Sequence, residues 1–374
     1  MFAGNPFRYD APTPPERLID RREEQQQLSR AAASRTAVRL SAPRRYGKTS
    51  LLHAHCAALR SAGHRAVLVD LSSVGDREAV LGRVAAAYAG LGRPAGQAVR
   101  GLLMRFGLTV GVPGLATAQV APAGARGPAA VPDAALVELL DLPRRLYAED
   151  GILSVVCFDE FQDLLGAGRG LDGLLRSVIQ HHGDAAAYVY AGSAPSLMRA
   201  LFDDRERPLF GQARPLELGP LPLDEALADG DRLMEEIGYG SLEALATLVA
   251  IADGHPQRTV LLAHHLVELL EQGADRDEAS LPDAVVEIAF REVRDALEAT
   301  WAGLPGAERH VLRAIARGLP PTGQAAAAES GTPATTLASA LRRLVDDGQH
   351  VVAAGSGWRL IDPLLGLWIR RATT

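Results

Sequence analysis

At 374 residues, 47% hydrophobic and 22% charged, the chain has the composition of a globular protein large enough for two or three domains. Its net charge of −6 argues against attraction to nucleic acid or an anionic membrane by bulk electrostatics. Two cysteines without metal-ligand spacing, and no uncharged apolar run of ~18 residues, argue against a disulfide scaffold, a zinc module and a membrane span.

Met1-Phe2-Ala3-Gly4-Asn5-Pro6 lacks the basic start and apolar core of a signal peptide, so a cytoplasmic location is the expectation. Val38 to Ser41 reads as a short strand, and Thr49 to Ala62 has helical periodicity that ends at Gly63. Ala66 to Leu71, Ile152 to Phe158 and Ala187 to Gly192 are three further apolar strands. Short continuous apolar runs alternating with helical segments predict an α/β fold, a parallel sheet covered on both faces by crossover helices. Cys56 and Cys157 fall in an apolar helix and an apolar strand, as buried thiols in a reducing compartment do. The Gly-, Pro- and Ala-rich stretch from Leu91 to Val131 is expected to hold a small hairpin near Met104 to Val120 and a mobile tip at Ala121 to Ala130.

From Leu223 to about Thr300 helices replace strands, among them Leu242 to Ala252 and Pro256 to Glu271. After Gly303-Leu304-Pro305 the pattern changes again. Helices are expected at Ala307 to Arg317, Gly323 to Glu329 and Pro333 to Asp347, the last capped by Thr332 and ended by Gly348. Val351-Val352 and Trp358-Arg359-Leu360, joined through Gly355-Ser356-Gly357, form a hairpin. Three helices and a hairpin predict a winged helix-turn-helix. The expected division is 1–222, 223–302 and 303–374.

Among 38 arginines the chain has one lysine, Lys48. Such a composition replaces Lys by Arg wherever Arg serves, and keeps Lys where a compact ammonium is needed. Lys48 stands in Ala42-Pro43-Arg44-Arg45-Tyr46-Gly47-Lys48-Thr49-Ser50, between a strand and a helix, the setting of a phosphate-binding loop. There the lysine reaches the β/γ-phosphate oxygens, Gly47 permits close backbone approach and the Thr49 hydroxyl binds Mg²⁺. Ala42 departs from the glycine usual at the loop's first position and predicts a slightly different turn. An NTPase site also needs an apolar strand ending in carboxylates, and Ser154 to Phe158 followed by Asp159-Glu160 supplies it. Asp159 is placed to hold magnesium through water, and Glu160 to polarise the attacking water as general base. Ser193, at the end of the fourth strand, falls where a γ-phosphate sensor belongs. Gly254-His255-Pro256 reads, on its residues alone, as a helix start with Pro at the first helical position.

The residues that carry a resemblance run nearly end to end and in order. They are Asn5-Pro6-Phe7, Leu18 to Glu24, Pro43 to Leu52, Phe158 to Gln162, Gly192-Ser193, Pro208 to Gly211, Leu218 to Leu221, Gly254-His255-Pro256 and Asp362 to Trp368. With them the chain resembles the prokaryotic P-loop ATPases of the archaeal-ATPase type, within the AAA+/STAND assemblage, and more distantly the archaeal replication initiators. The resemblance implies an αβα core, a helical lid and a C-terminal winged helix. It places Leu18 to Arg22, including Ile19 and Arg21, against adenine and ribose. It also makes His255 and Pro256 nucleotide sensors on the lid and offers Arg207 or Arg214 as an arginine that completes a neighbour's site, which carries ATP-dependent self-association with it.

The leading functional expectation is an ATP-hydrolysing switch using Mg²⁺ and acting on a separately encoded protein partner. A DNA-binding ATPase acting through the winged helix is the alternative. Residues 305–374 hold eight arginines against five acidic residues, yet the third helix offers only Arg342 and Arg343 beside Asp346 and Asp347. Together with Arg359 these predict weak duplex binding at most. A non-hydrolysing ATP adaptor ranks last, because Asp159 and Glu160 are both present.

Overall fold

The computed structural model describes residues 4–108, 130–275 and 279–372. After the first helix, α1 (Arg22–Ala33), the chain enters β1 (Val38–Ser41), α2 (Lys48–Ser61), β2 (Arg65–Asp70) and α3 (Arg77–Ala89). Helices α4 (Ala95–Phe106), α5 (Ala130–Leu140) and α6 (Leu142–Asp150) precede β3 (Ser154–Asp159). Then come α7 (Leu171–Ile179), β4 (Ala186–Gly192), α8 (Pro195–Phe202) and β5 (Arg214–Glu217). The five strands form one sheet in the order β2-β3-β4-β1-β5, every pairing parallel. Strands β1, β3 and β4 are buried along their whole length, as helices on both faces require.

The four expected strands are present within two residues of their expected bounds. The fifth was not expected. Arg-Pro-Leu-Glu carries two charges and a proline, and it is tolerated because β5 is an exposed edge strand paired on one side only. The hairpin expected from Met104 is corrected in its described part, where Met104 to Phe106 finish α4 and Gly107, at φ +65°, ends it. Apolar side chains of Val99, Leu102 and Leu103 pack with α3 and α5, so helical spacing outweighs the glycine content. The rest of that hairpin, from residue 109, and the expected tip from Ala121 up to residue 129 lie outside the described residues, and the tip's last residue, Ala130, begins α5.

A helical array follows: α9 (Leu223–Glu236), α10 (Glu243–Ala252), α11 (Pro256–Glu271) and α12 (Leu281–Gly303). The C-terminal unit comprises α13 (Gly306–Ala316), α14 (Gln324–Ser330), α15 (Ala334–Asp347), the antiparallel pair β6 (Val351–Ala354) and β7 (Gly357–Leu360), and α16 (Pro363–Ala372). Three helices and a hairpin therefore stand where they were expected. Thr332 does not cap α15. Pro333 occupies the cap position, and the Thr332 hydroxyl lies 3.4 Å from the carbonyl of Ser330. Gly348 ends the helix at φ +70°. The array and the C-terminal unit share one continuous apolar core, which runs from Leu233 and Leu266 through Phe290 to Leu312, Leu337 and Ile369 and also takes in Phe7 and Ile19. Among the described residues no helix is long and apolar enough to cross a membrane. Cys56 and Cys157 are buried free thiols, with their sulfurs 4.0 Å apart between α2 and β3.

Candidate functional site

Strand β1 ends at Ser41, and the chain turns through Pro43 to Gly47 into α2. The left-handed backbone of this turn falls at Arg45 (φ +65°) and Gly47 (φ +81°). Ala42 carries no such demand. Its amide continues the sheet toward the carbonyl of Gly192, so the missing first glycine costs the loop nothing. Lys48 begins α2, 4% exposed, and its ammonium donates to the carbonyls of Ala42 and Pro43, each at 3.0 Å. Among the described residues no carboxylate lies within ion-pair distance of it. Burial pulls the Lys48 ammonium down to about 8, against the opposing charges of Glu160 and Asp159. A buried cation paired only with dipoles, beside the unpartnered first amides of a helix, is a site short of an anion.

Asp159 ends β3 beside it. The Thr49 hydroxyl donates to Asp159 Oδ2 at 2.6 Å, joining the two residues expected to hold magnesium. Burial raises the Asp159 carboxyl, and the Thr49 bond opposes that rise. No group of three or more metal-ligating side chains occurs among the described residues. The pair fits Mg²⁺ even so, because that ion keeps several waters and takes one or two protein oxygens plus phosphate oxygens.

Glu160 sits at φ +49°, a conformation unusual for a residue with a side chain. Its Oε2 accepts from the Ser193 hydroxyl (2.5 Å), the Ser193 amide (3.3 Å) and Gln162 Nε2 (2.6 Å). Gln162 Oε1 in turn accepts from the Ser193 amide at 3.2 Å. The ends of β3 and β4 are thereby locked together through side chains. In the sequence Gln162 stands out only as the end of the Phe158 to Gln162 run, and no periodicity signals its role.

Lys48, Thr49 and Glu160 border a cleft of about 270 Å³ between the sheet and α11, while Asp159, Gln162 and Ser193 lie behind its lining. Ile19, Arg21, Arg45, Tyr46, Gly47, Lys48, Thr49, Ser50, Glu160 and Pro256 all line it. Arg21 lies there with its guanidinium already committed, to Glu24 at 2.9 Å and to the carbonyl of Gly219 at 2.8 Å. Arg44 is exposed, and its amide turns away toward Gln349. His255 stands behind the cleft. It caps α11 by accepting from the Arg258 amide at Nδ1, and its ring meets Tyr46 edge-on at 5.0 Å. Burial lowers His255 to about 4 and raises the Tyr46 phenol. Gly254, at φ +73°, lies so close to the core that an added Cβ would come 2.5 Å from the Leu221 carbonyl oxygen. The Gly-His-Pro segment is therefore both a helix start and the contact between α11 and the core.

The N-terminal segment was missed as a wall of the cleft. Arg8 to Thr13 cross it, tied to α11 where Phe7 O meets His264 Nδ1 at 2.6 Å and to α2 where the Thr13 amide donates to Ser50 Oγ at 3.0 Å. Its prolines gave a signal of extended chain but none of location. Neither Arg207 nor Arg214 reaches the cleft of its own chain. Arg207 pairs with Asp172 at 3.4 Å, and Arg214 opens β5 opposite Val38, at the other end of β1 from the loop.

Known structures share this fold. The Walker-type ATPase PABY2304 of Pyrococcus abyssi superposes with a TM-score of 0.69 at 21% identity, over 97% of this chain and 99% of that one. The ORC2 protein of Aeropyrum pernix, in its ADPNP-ADP complexes, gives 0.61 at 18% identity over 98% and 97%. The fold is that of the archaeal Walker-type ATPases. No protein-family model and no curated protein matches the sequence. The resemblance read from the motifs thus holds for the fold over nearly the full length of both structures.

Proposed function

We propose that the protein binds ATP with Mg²⁺ in the cleft between sheet and α11 and hydrolyses it to ADP and phosphate, as a nucleotide-driven switch. The observation that supports this most is Lys48: the chain's single lysine, buried without a carboxylate partner, at the start of a helix beside the Thr49–Asp159 pair. The phosphates lie against the loop from Arg45 to Thr49, where backbone amides and the ammonium oppose their charge. Thr49 and Asp159 would hold Mg²⁺, and the ion would supply neutralisation of phosphate charge. Glu160 takes the proton of the attacking water, and Ser193 meets the γ-phosphate. Ile19, Arg21 and Tyr46 form the nucleoside side of the cleft, and Pro256 contacts the nucleotide from α11.

In this reading residues 1–222 are the ATPase core, 223–302 a lid and 303–374 a winged helix, with α11 carrying changes at the phosphates to the C-terminal unit. The protein partner is a separate chain. Arg207 or Arg214 completes a neighbouring subunit's site in ATP-dependent self-association. The DNA-reading alternative is weakened by what the basic residues do. Arg359 bonds the carbonyl and carboxylate of Asp253, at 2.8 and 2.7 Å, and Arg343 bonds Glu308 at 3.0 Å. The test is ATP turnover by the full chain alone, with duplex DNA and with candidate partners, together with its mass in ATP and ADP. Absence of Mg-ATP binding would sink the proposal.

A further inference from the structure

We infer that Gln349 is a positioning residue through which the C-terminal unit restrains the hydrolytic centre. The inference rests on the ATPase reading and adds its regulation. Gln349 lies just past the end of α15, yet its side-chain amide reaches both the end of β4 and the loop between β1 and α2. Its Nε2 donates to the carbonyl of Ser193 at 2.5 Å, and its Oε1 accepts from the amide of Arg44, in the phosphate loop, at 3.4 Å. The turn that presents it is seated on the core. Gly348 sits so close to the start of α8 that an added Cβ would come 3.2 Å from Pro195, and Arg199 of α8 donates to the Asp346 carbonyl at 2.5 Å. Ile361, beyond the hairpin, packs into the core cluster that holds Ala42, Tyr46 and Leu218.

The consequence for chemistry follows from Ser193. A serine hydroxyl has one proton, and here that proton goes to Glu160. While it does, Ser193 cannot donate to a phosphate, and Glu160 Oε2 is held by three donors rather than turned toward water. Gln349 holds the carbonyl of the same serine whose amide and hydroxyl hold Glu160. Docking of the C-terminal unit therefore keeps the serine and the carboxylate occupied with each other. Withdrawal of Gln349 frees one for the γ-phosphate and the other for the attacking water.

The test compares the full-length wild type with Gln349→Ala, Gln349→Glu and Arg199→Ala. It measures Mg-ATP turnover, binding of a fluorescent ATP analogue and hydrogen exchange over residues 340–350. Gln349→Ala is expected to raise kcat at least threefold with KM changed less than twofold, and to speed exchange at the end of α15. Gln349→Glu keeps an acceptor for Arg44 but loses the donor to Ser193, so it should match the alanine variant. Arg199→Ala, which loosens the same seat from the core side, should move both readouts the same way by less. Unchanged or lowered kcat in Gln349→Ala, or wild-type behaviour of Gln349→Glu, overturns the inference. Tight analogue binding in every variant, with no rise in turnover, leaves the ATP-binding reading standing alone. A wild type that binds no ATP removes both.

Discussion

Arg258 of α11 and Asp362 at the start of α16 form a two-pronged ion pair, Nε to Oδ1 at 3.0 Å and an outer guanidinium nitrogen to Oδ2 at 2.6 Å. Arg258 is 1% exposed, and Asp362 also accepts from the amides of Leu364 and Leu365. The pair joins the helix that closes the cleft to the C-terminal unit, directly behind His255. Removing Arg258 leaves a carboxylate without its cation, so Arg258→Ala should destabilise the fold by about 3 kcal/mol in urea titration. Burial pushes the Asp362 carboxyl up, but Arg258 outweighs it and the carboxyl ends below the ordinary range. Its stabilisation is thus present above the ordinary carboxylate pKa and lost as pH falls through the depressed folded value. Arg258→Ala should flatten that part of the acid titration. An unchanged acid limb and midpoint would show that the pair contributes nothing net.

Lys48→Ala should abolish or severely weaken ATP binding, because no second lysine exists to meet the β/γ charge. Lys48→Arg should still impair turnover, since a planar guanidinium places its charge elsewhere. Burial pushes the Lys48 ammonium down to about 8 in the free protein, and a bound polyphosphate would hold it charged. Binding at pH 8.5 should therefore take up protons, seen as a dependence of the calorimetric heat on buffer ionisation, and affinity should fall as pH rises beyond 8. Wild-type affinity in the alanine variant would remove the phosphate-loop assignment.

Asp159 and Glu160 should separate by phenotype. Loss of the Asp159 carboxylate, the partner of Thr49, should weaken magnesium-dependent binding. Glu160→Gln should bind Mg-ATP normally and lose about 10²–10⁴-fold in turnover, as removal of a general base does. Hydrolysis at the wild-type rate by Glu160→Gln would place the base on another residue.

The sheet and the turn that presents Lys48 were legible because their signals are local. Apolar runs such as Ser154 to Phe158 name buried strands, and Gly47-Lys48-Thr49 marks a strand-to-helix turn within three residues. What escaped is made by contacts distant in sequence. Gln162 and Gln349 are ordinary polar residues until the strand ends and the C-terminal turn converge on Ser193. Arg258 looks like one arginine among 38 until Asp362, 104 residues later, folds back onto it. Strand β5 escaped for the opposite reason: an edge strand needs little apolar surface, so Arg214-Pro215 carries no strand signal.

The Gly-His-Pro segment should show two separable effects. Pro256 lines the cleft while His255 caps α11 behind it. Pro256→Ala should alter ADP affinity and leave the fold intact. His255→Ala should cost about 1–2 kcal/mol through loss of the cap and of the Tyr46 contact. His255, held down to about 4 by burial, is stabilising only while neutral. The unfolded chain takes up its proton first, so this contribution is full above pH ~6.5 and shrinks as pH falls toward 4. Unchanged ADP affinity in Pro256→Ala, with unchanged melting, would return the segment to a purely structural role.

Arg342 and Arg343 stand about 100° apart on α15, so they do not point the same way. Arg343 already bonds Glu308, and Arg359 bonds Asp253, which leaves exposed Arg342 as the one of the three without an ion-pair partner among the described residues. Each phosphate neutralised adds about one unit-sized contribution to the salt slope, so DNA binding should be weak, steep in salt and indifferent to sequence. The double substitution Arg342→Ala/Arg343→Ala should lower that binding equally on every duplex and leave basal ATP turnover unchanged, since neither side chain approaches the cleft. Filter binding or fluorescence anisotropy across several duplexes and two salt concentrations decides it. Selection of one duplex at physiological salt, with a Kd of about 10⁻⁸ M or tighter, would make the DNA-reading function the leading one. The Arg343–Glu308 and Arg359–Asp253 pairs would then have to open on binding, freeing both arginines for phosphates.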